Sequence, residues 1–558
     1  MEPPPYDYYV PAVCQVRSPV HQGPGLTSTF PADFIPEFAD VVRSDLYLQY
    51  KLELAKNGMV DGEASTLPLS ERLQRLREYS SRFCSGIFDY EDISAYPDFA
   101  LRLHGRTVPL HHRPLSDLYT HTGRSDHIRS AFIPGSTQAG IQSSRCMLPV
   151  GTAAERGLVV TRRAADRTQD LLVMAEVASI AMPRQGHRPD EIQIRFYSLR
   201  GCGSKPIMPA PHPAATLPVV LVSAGMAEIQ PVAQIVELHI AGQHVIWEVA
   251  VMRGDQRSVF VEVYDWKAGE VISRIDIGTA LANVVPLDYP YFLVLPRELE
   301  GDPHLSIYSC SPTPGHPICA LRLRDEDLQD DERIDWHTIH TGDRPQPSEG
   351  HFHADFSQST VVLQFFITGR AGERETHYLI PRATLLAHIL DAESRADGDR
   401  PKVRSVPWAD WGPRGCLRLC LRCPHAVERA LMLPFGSRLP LLVVNESDFR
   451  SAAVYVFDVN PLIARHQRRV LATRQHDSSR SEESGRMGII EDIEAVLPGV
   501  VDPHCARIPY VAYRFPLPRG PVGWRLGHMV SAVIMSMTGF TVKMAGVVFE
   551  KSEQTWTI

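Results

Sequence analysis

From about residue 110 onward, apolar side chains recur along this chain with a period of two, in short runs. Residues 257–276 are the clearest case. Val259, Val261 and Val263 alternate with Phe260, Glu262 and Tyr264; Asp265 to Glu270 reads as a tight turn, and Val271 to Ile275 opens a second strand. Comparable runs lie at 127–133, 171–178, 192–199, 219–223, 234–240, 244–251, 291–295, 304–309, 317–323, 360–368, 377–380, 441–444, 453–458 and 510–515, with a final pair in 529–549. They are rich in Val, Ile, Leu, Phe and Tyr and bounded by Gly, Pro, Asp or Asn, which predicts a mainly β protein of short strands.

A looser repeat lies over these runs. LLVMAEVASI precedes IQIRFYSLRG, IVELHIAGQHVIWEVAV precedes VFVEVYDWKAGE, YFLVLPRELEGD precedes HLSIYSCSPTPG, and LPLLVVNESDFR leads into AAVYVFDVNPL. A buried strand followed by one that ends in a polar turn is the unit of a blade, so the expected architecture is a β-propeller of about six to eight irregular blades. Residues 257–276 are then an outer hairpin, with Trp266 and Lys267 as turn residues and Asp265 fixing the turn.

Ahead of the strands the period changes. Phe38, Val41, Val42, Leu46, Leu48 and Leu52 predict one helix over Glu37–Asn57, stopped by Asn57-Gly58. Leu73, Leu76, Tyr79 and Phe83 predict a second over Glu71–Phe83, capped by Ser70. Core packing is the default use of both faces, and a partner's seat is the alternative. The expected domains are a proline-rich disordered stretch at 1–30, a helical segment at 31–109 and the propeller-like body at 110–558. Pro3-Pro4-Pro5-Tyr6 fits the extended motif that WW domains read.

Composition narrows the picture further. The 558 residues carry a net charge of −8 with both signs interspersed, which speaks against a general nucleic-acid binder. The 45 prolines and 37 glycines are scattered, as many short strands and turns require. Ten cysteines are few for this length, and the first residues lack the positive and apolar regions of a secretory signal. Free thiols in a reducing compartment, cytoplasmic or nuclear, are expected. Residues 529–549 contain Thr538-Gly539 and Lys543 and read as two strands and a turn, so no membrane span is expected.

Few residues suggest chemistry. Cys416, Cys420 and Cys423 have the spacing that holds an iron–sulfur cluster in radical enzymes, and with His425 they give a zinc-type ligand set that no second CxxC completes. Yet Leu417, Leu419 and Leu421 alternate with Arg418, Cys420 and Arg422, as in a half-buried strand. His351, His353 and Asp355 share a face if extended, a chelating pattern that also describes an ordinary polar strand. Trp408 and Trp411 read as a paired-aromatic turn. Asp391–Arg400 and Gln467–Gly485 read as exposed loops, the latter in a basic run with Arg465, Arg468, Arg469 and Arg474. Gly201-Cys202-Gly203 lacks the third glycine of a dinucleotide loop, and phosphate-loop and nucleophile-elbow motifs are missing. No residue is assigned a catalytic, cofactor-binding or metal role, and no cofactor is expected.

Asp45 to Leu54 (DLYLQYKLEL), Gly58 to Gly62 (GMVDG), the run SERLQRLREY, Gln169 to Val173, VYDWKAGE and WADWGPRG together resemble a group of fungal F-box proteins. The resemblance implies an F-box helix bundle leading into a degenerate, WD-repeat-like β-propeller, in a substrate receptor of a cullin–RING ubiquitin ligase. The F-box helices would dock on the ligase adaptor and the propeller would hold a protein substrate. Only the tail of an F-box fits within Phe34–Asp45, so the front half is expected to be missing. The expected function is a non-enzymatic protein-recognition scaffold. The alternatives are a propeller enzyme or metal-binding protein, and an adaptor recruited by WW domains through its PPPY segment.

Overall fold

The computed structural model describes residues 35–62, 65–92, 119–122, 128–133, 144–149, 158–166, 169–178, 191–198, 210–223, 232–253, 256–279, 281–296, 304–310, 317–323, 332–342, 350–370, 372–395, 403–423, 431–445, 448–467, 488–505, 507–517, 528–537, 539–546 and 551–557. By its contacts the chain separates into two units, 1–49 and 50–558.

The first unit holds the helix Ile35–Ser44 and the start of the helix Leu46–Lys56. One continuous helix was expected here. Asp45 interrupts it, because its carboxylate accepts from the amides of Tyr47 and Leu48 at 2.8 and 3.1 Å and so starts a new helix. The restart leaves Val41, Leu46 and Tyr47 at 52%, 40% and 52% exposure, where the expected apolar face would have buried the first two.

The second unit is mainly β. Among the described residues its strands form one three-stranded, four four-stranded and two five-stranded sheets, plus a two-stranded ribbon. In chain order the first sheet is Tyr119–Thr122, Ile128–Ile133 and Ser144–Pro149. The second is Leu158–Asp166, Leu171–Ala178, Glu191–Ser198 and Val219–Ser223. The third is Val232–Ala241, His244–Arg253, Gln256–Asp265 and Glu270–Gly278. The fourth runs Ala282–Pro286, Tyr291–Pro296, His304–Ser309 and Cys319–Arg322, and gains Arg404–Val406 in parallel at its edge. The fifth is Arg333–Thr341, Thr360–Gly369, Gly372–Pro381 and Leu417–Cys423. The sixth is Arg438–Asn445, Asp448–Asp458, Val511–Pro516 and Gly488–Ile490. The seventh is His528–Ser536, Gly539–Gly546 and Lys551–Thr557, flanked by Leu431–Leu433 and by Asp89–Asp92. Within these meanders neighbouring strands are antiparallel.

The apolar cores lie between successive sheets. Phe196 and Ile194 of the second sheet pack with Trp247 and Val249 of the third. Val261 and Val263 of the third pack with Val284 and Phe292 of the fourth. Leu293 and Leu305 of the fourth pack with Leu363 and Phe365 of the fifth. The largest cluster joins the fifth, sixth and seventh sheets to helical residues Tyr50, Leu54, Leu73, Leu76, Tyr79 and Phe83. Full burial of one such Leu or Phe contributes about 1.5–3 kcal/mol.

Two features repeat. The first strand of the second sheet lies beside that of the third, the third beside the fourth, and the fourth beside the fifth. In the second, third, fifth and seventh sheets the first strand also carries a bulge opposite the second strand, at Thr161, Val236, Asp335 and Ser531. Arg162, next to the first of these bulges, donates from Nε to the carbonyl of Val236 in the second, at 2.9 Å. Further contacts link successive sheets. Gln169, in the turn between the first and second strands of the second sheet, donates to the Gly242 carbonyl in the matching turn of the third at 2.9 Å, and His244 beside that turn stacks on Tyr289 in the matching turn of the fourth at 4.0 Å. Arg382, which begins the helix after the third strand of the fifth sheet, donates to the Leu287 carbonyl at 2.6 Å, and the Gly436 amide, just ahead of Arg438–Asn445, donates to the Gly342 carbonyl at 3.0 Å.

The helix Leu69–Ser85 buries Leu73, Leu76, Tyr79 and Phe83, as their spacing predicted. The expected Ser70 cap is corrected: the residue before the helix is Pro68, whose fixed φ suits a helix start, and Ser70 lies inside the first turn. WADWGPRG is a helix, Trp408–Gly415, and not a turn. The expected loop Asp391–Arg400 begins as the end of the helix Arg382–Ser394, where Asp391 pairs with Arg395 and Arg404. That helix carries apolar residues on most sides, so it lacks the stripe that marks a helix in sequence. Among the described residues no helix is long and apolar enough to cross a membrane.

Candidate functional site

The cysteine run lies on the strand Leu417–Cys423, whose alternation puts positions 420 and 423 on opposite faces. Cys416 sits just ahead of it, fully buried. Burial, and next the nearby Cys505, hold its thiol well above the usual range, so it stays protonated, the form that does not bind a metal. Cys420 lies 4.0 Å from the Thr376 hydroxyl. Cys84, Cys310, Cys319, Cys416, Cys420 and Cys505 are all free thiols. His425 is outside the described residues, as are Gly201-Cys202-Gly203, the PPPY segment, and Arg468, Arg469 and Arg474. Arg465 is exposed on a short helix at 461–467.

His353 lies in the strand Phe352–Ala354, which pairs with Met59–Asp61, and His351 and Asp355 flank it. They do not converge. Asp355 caps a 3-10 turn, accepting from the amide and hydroxyl of Ser357 at 3.0 and 2.6 Å and from Gln358 at 3.0 Å. His351 sits between the Ser65 hydroxyl at 3.2 Å and the Arg75 guanidinium at 3.4 Å. Arg75 can only donate, so Nε2 accepts and Nδ1 carries the proton toward Ser65. Burial and the Arg75 charge lower the His351 pKa, which keeps that neutral form. Among the described residues no group of three His, Cys, Asp or Glu side chains could hold a metal ion.

The tryptophans serve packing. Trp411 is buried and donates from its indole to the Arg322 carbonyl at 2.8 Å, and Trp408 meets it edge to face at 5.0 Å. In the 265–270 turn, Asp265 accepts from the amides of Lys267 and Ala268 at 2.9 and 2.8 Å, the turn-fixing role its position predicted. Trp266 is buried against His212, and Lys267 lies over its ring.

Sequence reasoning missed the strongest polar cluster. Arg438 and Asp458 form a buried ion pair at 3.0 Å. Arg438 also donates to the Tyr79 hydroxyl at 3.0 Å, which donates to the Met537 carbonyl at 2.6 Å. Asp458 accepts from Ser437 at 2.7 Å and from the Asn460 amide at 2.9 Å. Burial pushes the Tyr79 hydroxyl above its usual pKa, so it stays a donor. Asn460 then donates to the carbonyls of Ala55 and Lys56, capping the helix Leu46–Lys56 at its C-terminal end. The available signal was an arginine inside the apolar run of residues 431–444, since a buried charge needs a counter-charge.

A second clasp explains the GMVDG run. Gly58 takes the left-handed conformation at φ +64°, where the helix ends. Asp61 accepts from the Tyr50 hydroxyl at 2.8 Å and from Arg72 at 2.6 Å. A Cβ on Gly62 would lie 2.1 Å from the Gly350 carbonyl oxygen, so only glycine allows this approach. These polar groups hold elements together. On the first helices Val41, Leu46 and Tyr47 form an exposed apolar set; other large apolar side chains, Leu221 and Leu390 among them, are exposed elsewhere.

No family model and no curated protein matches the chain. Among solved structures, it is similar to an uncharacterized protein, lmo1340, of Listeria monocytogenes EGD-e, at 7% identity over 60% of this chain and 89% of that one, with a TM-score of 0.22. It is also similar to a prolyl endopeptidase structure, at 10% identity over 74% of this chain and 59% of that one, with a TM-score of 0.28. At these scores neither likeness bears on fold or activity.

Proposed function

We propose that the chain is a non-enzymatic protein-recognition scaffold of the F-box-receptor type, a seven-bladed β-propeller whose N-terminal helices dock on the adaptor of a cullin–RING ubiquitin ligase. The propeller reading is supported by the run of short antiparallel meanders, the cores between successive sheets, the adjoining first strands and the bulge repeated in four of them. The observation that carries the recognition role is the exposure of Val41, Leu46 and Tyr47. Three large apolar side chains on helix surfaces are costly to leave in water and are the kind of anchor a protein partner covers. Val41 lies within Phe34–Asp45, the F-box tail whose helices the resemblance assigns to adaptor docking, and Leu46 and Tyr47 follow directly in the DLYLQYKLEL helix.

The test is titration of the full chain with the purified ligase adaptor. Binding is expected, and the triple variant V41D/L46D/Y47D should weaken it by at least about 100-fold, because anchor truncations of 2 kcal/mol or more combine. Unchanged circular dichroism would show that the variant folds. Absence of binding by the intact chain, or equal binding by the variant, would refute the reading.

A further inference from the structure

Each sheet ends in an outer strand with one side unpaired by its own meander, and an unprotected edge is a template for another strand. In the fourth sheet Arg404–Val406 covers Cys319–Arg322. In the fifth, residues 500–502 cover Leu417–Cys423: the Cys420 amide donates to the Val500 carbonyl at 2.7 Å, and the Asp502 amide to the Arg418 carbonyl at 3.0 Å. In the seventh, Asp89–Asp92 covers Lys551–Thr557. The sixth ends in the three-residue strand Gly488–Ile490. The third ends in Glu270–Gly278, which bulges at Ile272 and Ile277 and exposes Arg274 and Asp276.

The outer strand of the second sheet has none of these protections. Val219–Ser223 reads VVLVS, without a charge, and pairs with residues 191–195 in unbroken register. Among the described residues no strand lies beyond it. Its hydrogen-bond phase follows from one contact. The Phe196 amide donates to the Pro218 carbonyl at 3.2 Å, so residues 196 and 218 are a bonded pair. Antiparallel pairs alternate, which makes 194 with 220 and 192 with 222 bonded as well. The amides and carbonyls of Val219, Leu221 and Ser223 therefore point away from the sheet. They are symmetric about Leu221, whose side chain is 58% exposed.

We propose that two copies of this chain join through these edges, antiparallel about a two-fold axis at Leu221, so that the two second sheets become one continuous sheet. Full overlap of the strand with outward groups facing outward groups requires this register: 221 opposite 221 and 219 opposite 223 of the second copy. An uncharged edge offers nothing to select a charged partner, whereas a second copy brings the same outward groups and the same exposed Leu221 to one two-fold axis. Leu221 covers its counterpart on one face, and Leu217, 44% exposed, continues the apolar surface. A five-residue strand buries far less than the roughly 1,200–2,000 Å² of a stable interface, so the dimer is weak and depends on concentration.

Sedimentation velocity of the full chain across about 1–200 μM, a span that brackets weak association, should show a monomer giving way to a dimer. L221K places like charges opposite each other and should weaken association by at least about tenfold. V271K changes another exposed apolar side chain, at 53% exposure, and should leave association unchanged. L221C should form a disulfide with itself under mild oxidation, identified by the mass of the linked peptide, and V220C should not. A chain that stays monomeric across the span, a dimer that V271K weakens as much as L221K, or L221C that fails to link to itself would overturn the proposal.

Discussion

Arg438 is 6% exposed, and a guanidinium in that position is tolerable only because each side of it is met: Asp458 on one, the Tyr79 hydroxyl on another, and the Phe83 ring 4.2 Å away. Removing one charge leaves the other stranded. R438M should therefore destabilise the protein by about 3–5 kcal/mol in urea denaturation, and a second change, D458L, should recover part of that loss. A cost for R438M within about 1 kcal/mol would contradict this account of the pair. At this scale the sequence was uneven. Asp265 was legible, because an aspartate two residues ahead of a turn amide has one common use. Arg438, Asp458 and Tyr79 were not, since they lie hundreds of residues apart in part and only the fold brings them together. His351 and Asp355 shared a face in the sequence pattern, but the local turn at Phe356–Gln358 took the carboxylate away.

Among the elements, the short apolar runs bounded by turn residues were readable almost to the residue, as Leu171–Ala178, Val219–Ser223 and His304–Ser309 show. Arg333–Thr341 was missed, because its sequence RIDWHTIHT is mostly polar. The fold uses those polar groups: His337 reaches the Pro296 carbonyl at 2.7 Å, and burial lowers its pKa so that it stays neutral. Ala282–Pro286 was missed because it is short and ends in proline. The bulges have no sequence signature at all. The helix Leu46–Lys56 ends on Asn460, whose amide meets the carbonyls of both Ala55 and Lys56, at 2.9 and 3.1 Å. N460A leaves those carbonyls without that donor and should cost about 1–3 kcal/mol, read as a lower midpoint in chemical denaturation with an unchanged slope. An unchanged midpoint would mean that the helix end is held by other contacts.

At the scale of the whole molecule, the second to fifth sheets repeat one device: a short meander whose first strand adjoins the first strand of the next, with the apolar core in the gaps between sheets. The proposed recognition role rests on the exposed Val41, Leu46 and Tyr47 of the first helices, and Val41 lies in the Phe34–Asp45 stretch that the resemblance reads as the tail of an F-box. The most direct measurement is hydrogen–deuterium exchange of the full chain with and without saturating ligase adaptor. Slowed exchange confined to residues 35–56 is predicted, with uptake at 219–223 unchanged. Identical uptake across 35–56 in both conditions, or protection that falls only on the sheets, would contradict the account.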